Sequence, residues 1–107
     1  MGALTIYRTR DFDRWLRHLR DTQAKARVLT TLRRWTLTGV AVGDIKPVGG
    51  GVAGARVQTG PGYRVYFAQH GSRVVLLLLG GSKGGQRTGI SKARTILENL
   101  RRAGDWT

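Results

Sequence analysis

Arg56, Arg64 and Lys83 are the residues of this chain best suited to chemistry. All three are cations. Cations gathered at one place bind phosphate and stabilise the charge of a phosphorane-like transition state. The arginines flank Gly60-Pro61-Gly62, a strong turn signal, so they belong to the two arms of one hairpin. Along the second arm Tyr63, Val65 and Phe67 share one face, and Arg64, Tyr66 and Ala68 share the other. Along the first arm Ala53, Ala55 and Val57 oppose Gly54, Arg56 and Gln58. An odd-length loop around Pro61 aligns apolar with apolar and places Arg56 and Arg64 on one face beside Tyr66. Like charges repel across adjacent strands, so such a pair points to a bound anion rather than to sheet stability. Lys83 lies in the Gly-rich stretch GGSKGGQRTG directly after the next strand, where backbone can approach a phosphate closely. With no carboxylate near in sequence, a base here must be His, Tyr, a Lys whose pKa is lowered by neighbouring Arg, or an RNA 2′-hydroxyl activated by charge neutralisation.

The charge of the whole chain agrees with an anionic partner. Nineteen Lys+Arg face six Asp+Glu, for a formal net charge of +13. Residues 45–97 hold eight bases and no acid. The balance points to nucleic acid, an acidic protein or anionic lipid, and it removes paired-carboxylate chemistry from that stretch. The absence of Cys excludes disulfides, thiol nucleophiles and zinc–thiolate sites. His18 and His70 are far apart without nearby acids, so no metal site is expected, and His70 reads as a solvated turn residue. Gly49, Gly51 and Gly54 match G-x-G-x-x-G in letter only, since a loop precedes them and a strand follows. Arg17, Arg20, Arg27, Arg33 and Arg34 read as solvated helix charges, dense enough to meet RNA or an acidic protein. Trp15 and Trp35 fit core positions. No apolar stretch approaches the ~18–20 residues of a membrane span, and the N-terminus lacks a signal-peptide pattern.

The elements that must position these residues follow from periodicity. Leu4–Arg8 reads as a short strand. Asp11 is the expected cap of a helix with Phe12, Trp15, Leu16 and Leu19 on its apolar face. A second helix is expected from about Thr22 to Thr38, with Ala24, Val28, Leu29, Leu32 and Trp35 inward and Gly39 ending it. Residues 39–51 read as a Gly-rich loop. Three strands follow: Val52–Thr59, Tyr63–His70 and Arg73–Leu79, the last two joined by a type II′ turn at Gly71-Ser72. The run Val74–Leu79 lacks alternation, so that strand is expected inside the sheet with both faces covered. Residues 80–89 read as a second loop. Ser91 is then the expected cap of a final helix bearing Ile90, Ala93, Ile96, Leu97 and Leu100, with Gly104 at C′. The expectation is one α+β domain over residues 1–107, a small antiparallel sheet in the order β-α-α-β-β-β-α.

The segments GDIKPVGGGVAGARVQTGPGYRVYF and LLLLGGSKGGQ, with the earlier FDRWLRHLRDTQAKARVLTTLRRW, resemble the RelE/ParE toxin superfamily. The branch they resemble most is the HigB-like, phage-derived "addiction module killer" group. The likeness covers nearly the whole chain, and G-P-G-Y-R-V-Y-F with G-G-x-K-x-x-Q carries its specificity. It implies a RelE-like fold and a toxin of a type II toxin–antitoxin module. The implied activity is that of a ribosome-dependent, metal-independent mRNA endoribonuclease that inhibits translation. It implies no cofactor and a cytoplasmic location. The implied partners are the ribosome, mRNA and a cognate antitoxin, commonly a helix-turn-helix protein, with no membrane. Arg56, Arg64 and Lys83 match the catalytic basic positions of the family's RNA-facing surface. Lys46 and Gln86 match further family positions and, with Tyr66, Arg87, Arg33 and Arg34, make up the expected RNA-binding set. The family's usual acids are absent at three places, where this chain has Gly54, Ser82 and Gly89. The alternatives are a non-enzymatic toxin such as a DNA gyrase inhibitor, or a catalytically impaired RNA-binding homologue.

Overall fold

The computed structural model describes residues 4–57, 62–72 and 74–106, with Lys83 described by its backbone alone. The chain runs β1 (Thr5–Arg8), α1 (Arg10–His18), α2 (Thr22–Thr38), β2 (Ile45–Gly49), β3 (Val52–Arg56), β4 (Arg64–His70) and β5 (Val74–Gly81). A 3-10 turn (Lys83–Gly85) leads into α3 (Gln86–Arg102). The strands form one sheet in the order β1-β5-β4-β3-β2. The α+β class is as expected, but the sheet is mixed. β2, β3, β4 and β5 pair antiparallel in turn, whereas β1 joins β5 in parallel.

The helical hairpin forms where its apolar periods suggest, with caps supplied by Thr9 and Asp21. Asp21 accepts a hydrogen bond from the Ala24 amide at 3.0 Å and caps α2, which Gly39 ends at φ +76°. The cap of α1 is Thr9 rather than Asp11. Its hydroxyl accepts from the Phe12 amide at 3.1 Å and donates to the Leu78 carbonyl at 2.9 Å, so it ties the helix to β5 as well. Asp11 and Asp13 occupy the first turn, where the helix dipole favours negative charge.

Two expected loops are ordered elements. Within 39–51, β2 pairs with β3, and Gly49, Gly50 and Gly51 make the turn at φ +91°, +64° and +82°, a region open to glycine. α3 holds that turn. Arg94 donates to the Val48 carbonyl, and Arg101 donates to the Gly50 carbonyl at 3.4 Å. The other correction is the start of α3, at Gln86 instead of Ser91, so Ser91 lies inside the helix and caps nothing. Gly89 is a poor helix former, but packing against β4 overrides its propensity. Gly104 takes φ +79° after the helix, as expected at C′. The expected strand ends at Thr59 and Arg73 lie outside the described residues, and β5 continues past Leu79 to Gly81.

The sheet has a core on each face. On one, Phe12, Leu16, Val28, Leu32 and Trp35 of α1 and α2 meet Val65, Phe67 and Leu77. On the other, Ala93 and Leu97 of α3 meet Val52, Tyr66, Leu76 and Leu78. Cover on both faces explains the unalternated run of β5. Full burial of each Phe or Leu contributes about 1.5–3 kcal/mol. Leu29, expected inward, is 44% exposed, because the buried stripe of α2 passes through Val28 and Leu32.

Candidate phosphate-binding site

Pairing of β3 with β4 sets Ala55 opposite Val65 and Arg56 opposite Arg64. The apolar pair is buried against α1 and α2, and alternation then turns both arginines to the α3 face. The expected convergence of Arg56 and Arg64 is therefore present. The rows extend across the sheet. Gly81 of β5 lies beside Arg64, while Lys46, Gly54, Tyr66 and Leu79 line up in the neighbouring row. Lys46 thus shares the face of the two arginines.

Asp44, which no sequence pattern singles out, also belongs here. Its carboxylate stands 3.8 Å from the Arg56 guanidinium, and its carbonyl accepts from the Arg56 amide at 2.9 Å. This corrects the expectation of a site with no carboxylate nearby. Asp44 directly precedes β2, so it becomes a neighbour of Arg56 only once that strand is paired. Both side chains are over a third exposed, and such a pair contributes at most about 1 kcal/mol.

Tyr66 is fully buried. Its ring is wedged among three glycines: a Cβ on Gly54, Gly81 or Gly89 would lie 3.3, 3.9 or 3.0 Å from ring carbons. Its hydroxyl and Arg64 Nε are both buried, and neither has a hydrogen-bond partner among the described residues. Buried polar atoms are almost always paired, and the exceptions gather where a ligand or water is meant to sit. Burial pushes the phenol above its ordinary 10.0, with the charge of Arg64 pulling the other way. The phenol thus remains protonated and can donate. Ring and hydroxyl are both buried, so Tyr66, expected to contact RNA, presents no open surface.

The other expected site residues divide. The Lys83 backbone follows Gly81, the partner of Arg64, by two residues, but its side chain lies outside the described residues. Gln86 opens α3 half-buried, with Arg87 exposed beside it. Arg33 and Arg34 are exposed on α2, which covers the opposite face of the sheet, so the structure does not bring them to the arginine pair. His18 bonds the Arg14 carbonyl at 2.8 Å within α1. His70 ends β4 far from Arg64 and meets the Trp106 ring edge-on at 6.0 Å. Among the described residues no three His, Asp or Glu gather as metal ligands, and no helix is long and apolar enough to cross a membrane.

No family model matches the chain. An uncharacterized protein of Haemophilus influenzae is 35% identical to it over 98 residues, which span 92% of this chain and 97% of that protein.

Proposed function

The chain belongs to one family with the Haemophilus influenzae protein, and for this member we propose the toxin of a type II toxin–antitoxin module, a ribosome-dependent mRNA endoribonuclease. The reading places it in the HigB-like branch of the RelE/ParE superfamily, with a RelE-like arrangement of helical hairpin, sheet and final helix. It acts in the cytoplasm, held in check by a cognate helix-turn-helix antitoxin.

The observation that carries this reading is the direct opposition of Arg56 and Arg64, beside two buried polar atoms that lack partners among the described residues. In the proposed reaction the 2′-oxygen of a nucleotide attacks its own 3′-phosphorus. The bond to the 5′-oxygen of the next nucleotide breaks. A 2′,3′-cyclic phosphate and a 5′-hydroxyl result, and the 2′-hydroxyl proton is balanced by one delivered to the leaving oxygen. Arg56 and Arg64 neutralise the phosphate and the extra charge of its transition state. The Tyr66 ring backs the arginine pair, its buried hydroxyl reaching a phosphate oxygen only when bound RNA displaces the cover over it, and Asp44 orients Arg56. Lys83 assists proton transfer or steadies the leaving oxygen. Lys46, Gln86 and Arg87 hold the flanking strand, and the helical arginines, Arg33 and Arg34 among them, dock on ribosomal RNA.

Primer extension on messages from induced cells tests the proposal. In-frame cuts confined to translated messages are expected. An SOS response with intact messages would assign the chain to gyrase inhibition instead. Tight RNA binding without cuts or growth arrest would mark an impaired homologue.

A further inference from the structure

A groove of about 650 Å³ opens between α1 and α3. That volume lies within the range of small-ligand sites, about 300–1,000 Å³. Its floor is apolar: Trp15, Leu19, Leu79 and Ile96, all half-buried. The groove exists because β1 is short. Its last partner on β5 is Leu77, so Leu79 and Gly80 lie beyond the end of the edge strand. Trp15 packs flat there, with three of its ring carbons so close above Gly80 that no Cβ would fit. One face of the indole is thus fixed on the strand, and what remains open lines the groove. The two ends of the groove differ in charge. Asp11 and Ile96 also border a second depression, floored by Leu76 and Leu100, and so mark one end. Arg20 and Lys92 line the groove away from that depression and mark the other, with Arg14 between. Asp11 and these three cations are exposed. None of the four takes part in the ion pairs found among the described residues, which join Arg8 to Asp13, Arg56 to Asp44 and Arg102 to Glu98.

We propose that this groove binds a free guanine nucleotide bearing two or more phosphates. The indole supplies a platform for the base, and such stacking contributes about 1–3 kcal/mol. Asp11 selects which base. An ionised carboxylate only accepts, through two oxygens side by side. Guanine alone among the common bases presents two adjacent donors on its pairing edge, N1–H and the 2-amino group. Adenine and cytosine set one amino group beside an acceptor, and uracil sets one N–H between two carbonyls. The phosphates then fall at the far end, where Arg20 and Lys92 stand unpaired and Arg14 overlooks the ribose side. Asp11 and Arg20 are roughly 13 Å apart along the axis of α1, at ~1.5 Å per residue, about the length of an extended nucleoside diphosphate. An acyl anion fits less well, because it leaves Asp11 without a donor. A nucleic-acid strand spreads its charge one phosphate at a time, whereas here the cations gather beyond the platform and a carboxylate closes the other end. The inference stands apart from the nuclease reading, since the groove shares no side chain with the arginine pair.

The test uses purified full-length protein and measures binding alone, so its outcome is separate from any nuclease result. The probes are GDP, GMP, ADP and a short RNA with one central guanosine, followed by the indole N–H signals in ¹⁵N spectra. GDP should shift the Trp15 signal saturably, while that of Trp35, buried and bonded to the Val42 carbonyl at 2.8 Å, stays in place. ADP should bind at least ~10-fold more weakly, because its edge offers Asp11 one donor where guanine offers two. Asp11→Asn should weaken GDP by about 10-fold and bring it level with ADP. Thr9 caps α1, so this change leaves the start of the helix in place. Arg20→Glu combined with Lys92→Glu should weaken GDP at least ~10-fold and remove its advantage over GMP. An unmoved Trp15 signal overturns the proposal, and so does equal binding of GDP and ADP. Tighter binding of the short RNA than of GDP would make the groove a track for a strand and overturn it as well. Arg27→Glu on α2 should leave GDP binding as it was; a loss equal to that of the groove variant would mean attraction to net charge alone.

Discussion

Arg56 and Arg64 face each other across two antiparallel strands, two cations in one register pair on the α3 side of the sheet. Directly opposed like charges destabilise a sheet by a few tenths to about 1 kcal/mol. The apolar partners in the adjacent register, Ala55 and Val65, hold the pairing in place. Asp44 answers Arg56 alone, 3.8 Å away, and the arrangement suits an anion shared with Arg64.

Arg64→Ala should abolish growth inhibition on induction while the far-UV spectrum and urea midpoint remain those of a folded protein. Relief of the repulsion should leave stability unchanged or raise it by up to about 0.5 kcal/mol. Undiminished toxicity in a folded Arg64→Ala protein would falsify the assignment of the phosphate site.

Tyr66→Phe removes a buried hydroxyl that has no partner among the described residues and leaves the ring in its glycine cradle. Urea unfolding should show a gain of about 1 kcal/mol, because the desolvation penalty disappears. Cleavage of translated messages should fall in the same variant. A protein that is both more stable and equally active places the hydroxyl outside the reaction.

The same hydroxyl predicts a pH dependence. Burial raises the phenol pKa above its unfolded value of 10.0, so the unfolded chain releases this proton first. The associated stability is fully present below pH 10 and is lost as the pH climbs from there through the folded pKa. Thermal midpoints of the wild type should therefore decline above pH 10 more steeply than those of Tyr66→Phe. Parallel profiles would show that the phenol titrates alike in both states.

Gly89→Ala sets propensity against packing. Alanine gains about 1 kcal/mol over glycine inside a helix. Its Cβ, however, would lie 3.0 Å from Tyr66 Cε2, and that ring cannot retreat because Gly54 and Gly81 bound it on other sides. Overpacking costs about 1–3 kcal/mol. The net expectation is destabilisation by about 1 kcal/mol in chemical denaturation. A stabilised variant would show that the ring moves freely.

Affinity for ribosomal RNA should fall steeply with salt. Arg33→Glu with Arg34→Glu should weaken binding and flatten the slope of log K against log salt by about 0.7 for each single-strand phosphate that is no longer neutralised. An unchanged slope would remove α2 from the docking surface.

Face parity in the Arg56–Arg64 hairpin, the span of α2 with its end at Gly39 and the inner place of β5 were all legible in the amino-acid order, because each rests on a local period of apolar residues or on one terminating glycine. What was not legible depends on partners distant in the chain. β2 offers only Ile45 and Val48 around Lys46 and Pro47, ahead of a run of glycines, and becomes a strand only through pairing with β3 and its ties to α3. α3 starts early because Gly89 fits against Tyr66, which no helical period announces. Asp44 meets Arg56 only after β2 is laid down, and Arg33 and Arg34 fall on the far layer because α2 turns its apolar stripe to the other core. The amino-acid order thus determined which residues share a face, since alternation along a strand is built into the backbone. Only the tertiary structure decided which faces meet and which polar atoms lose their water without a partner among the described residues, since burial is set by elements that are remote in sequence.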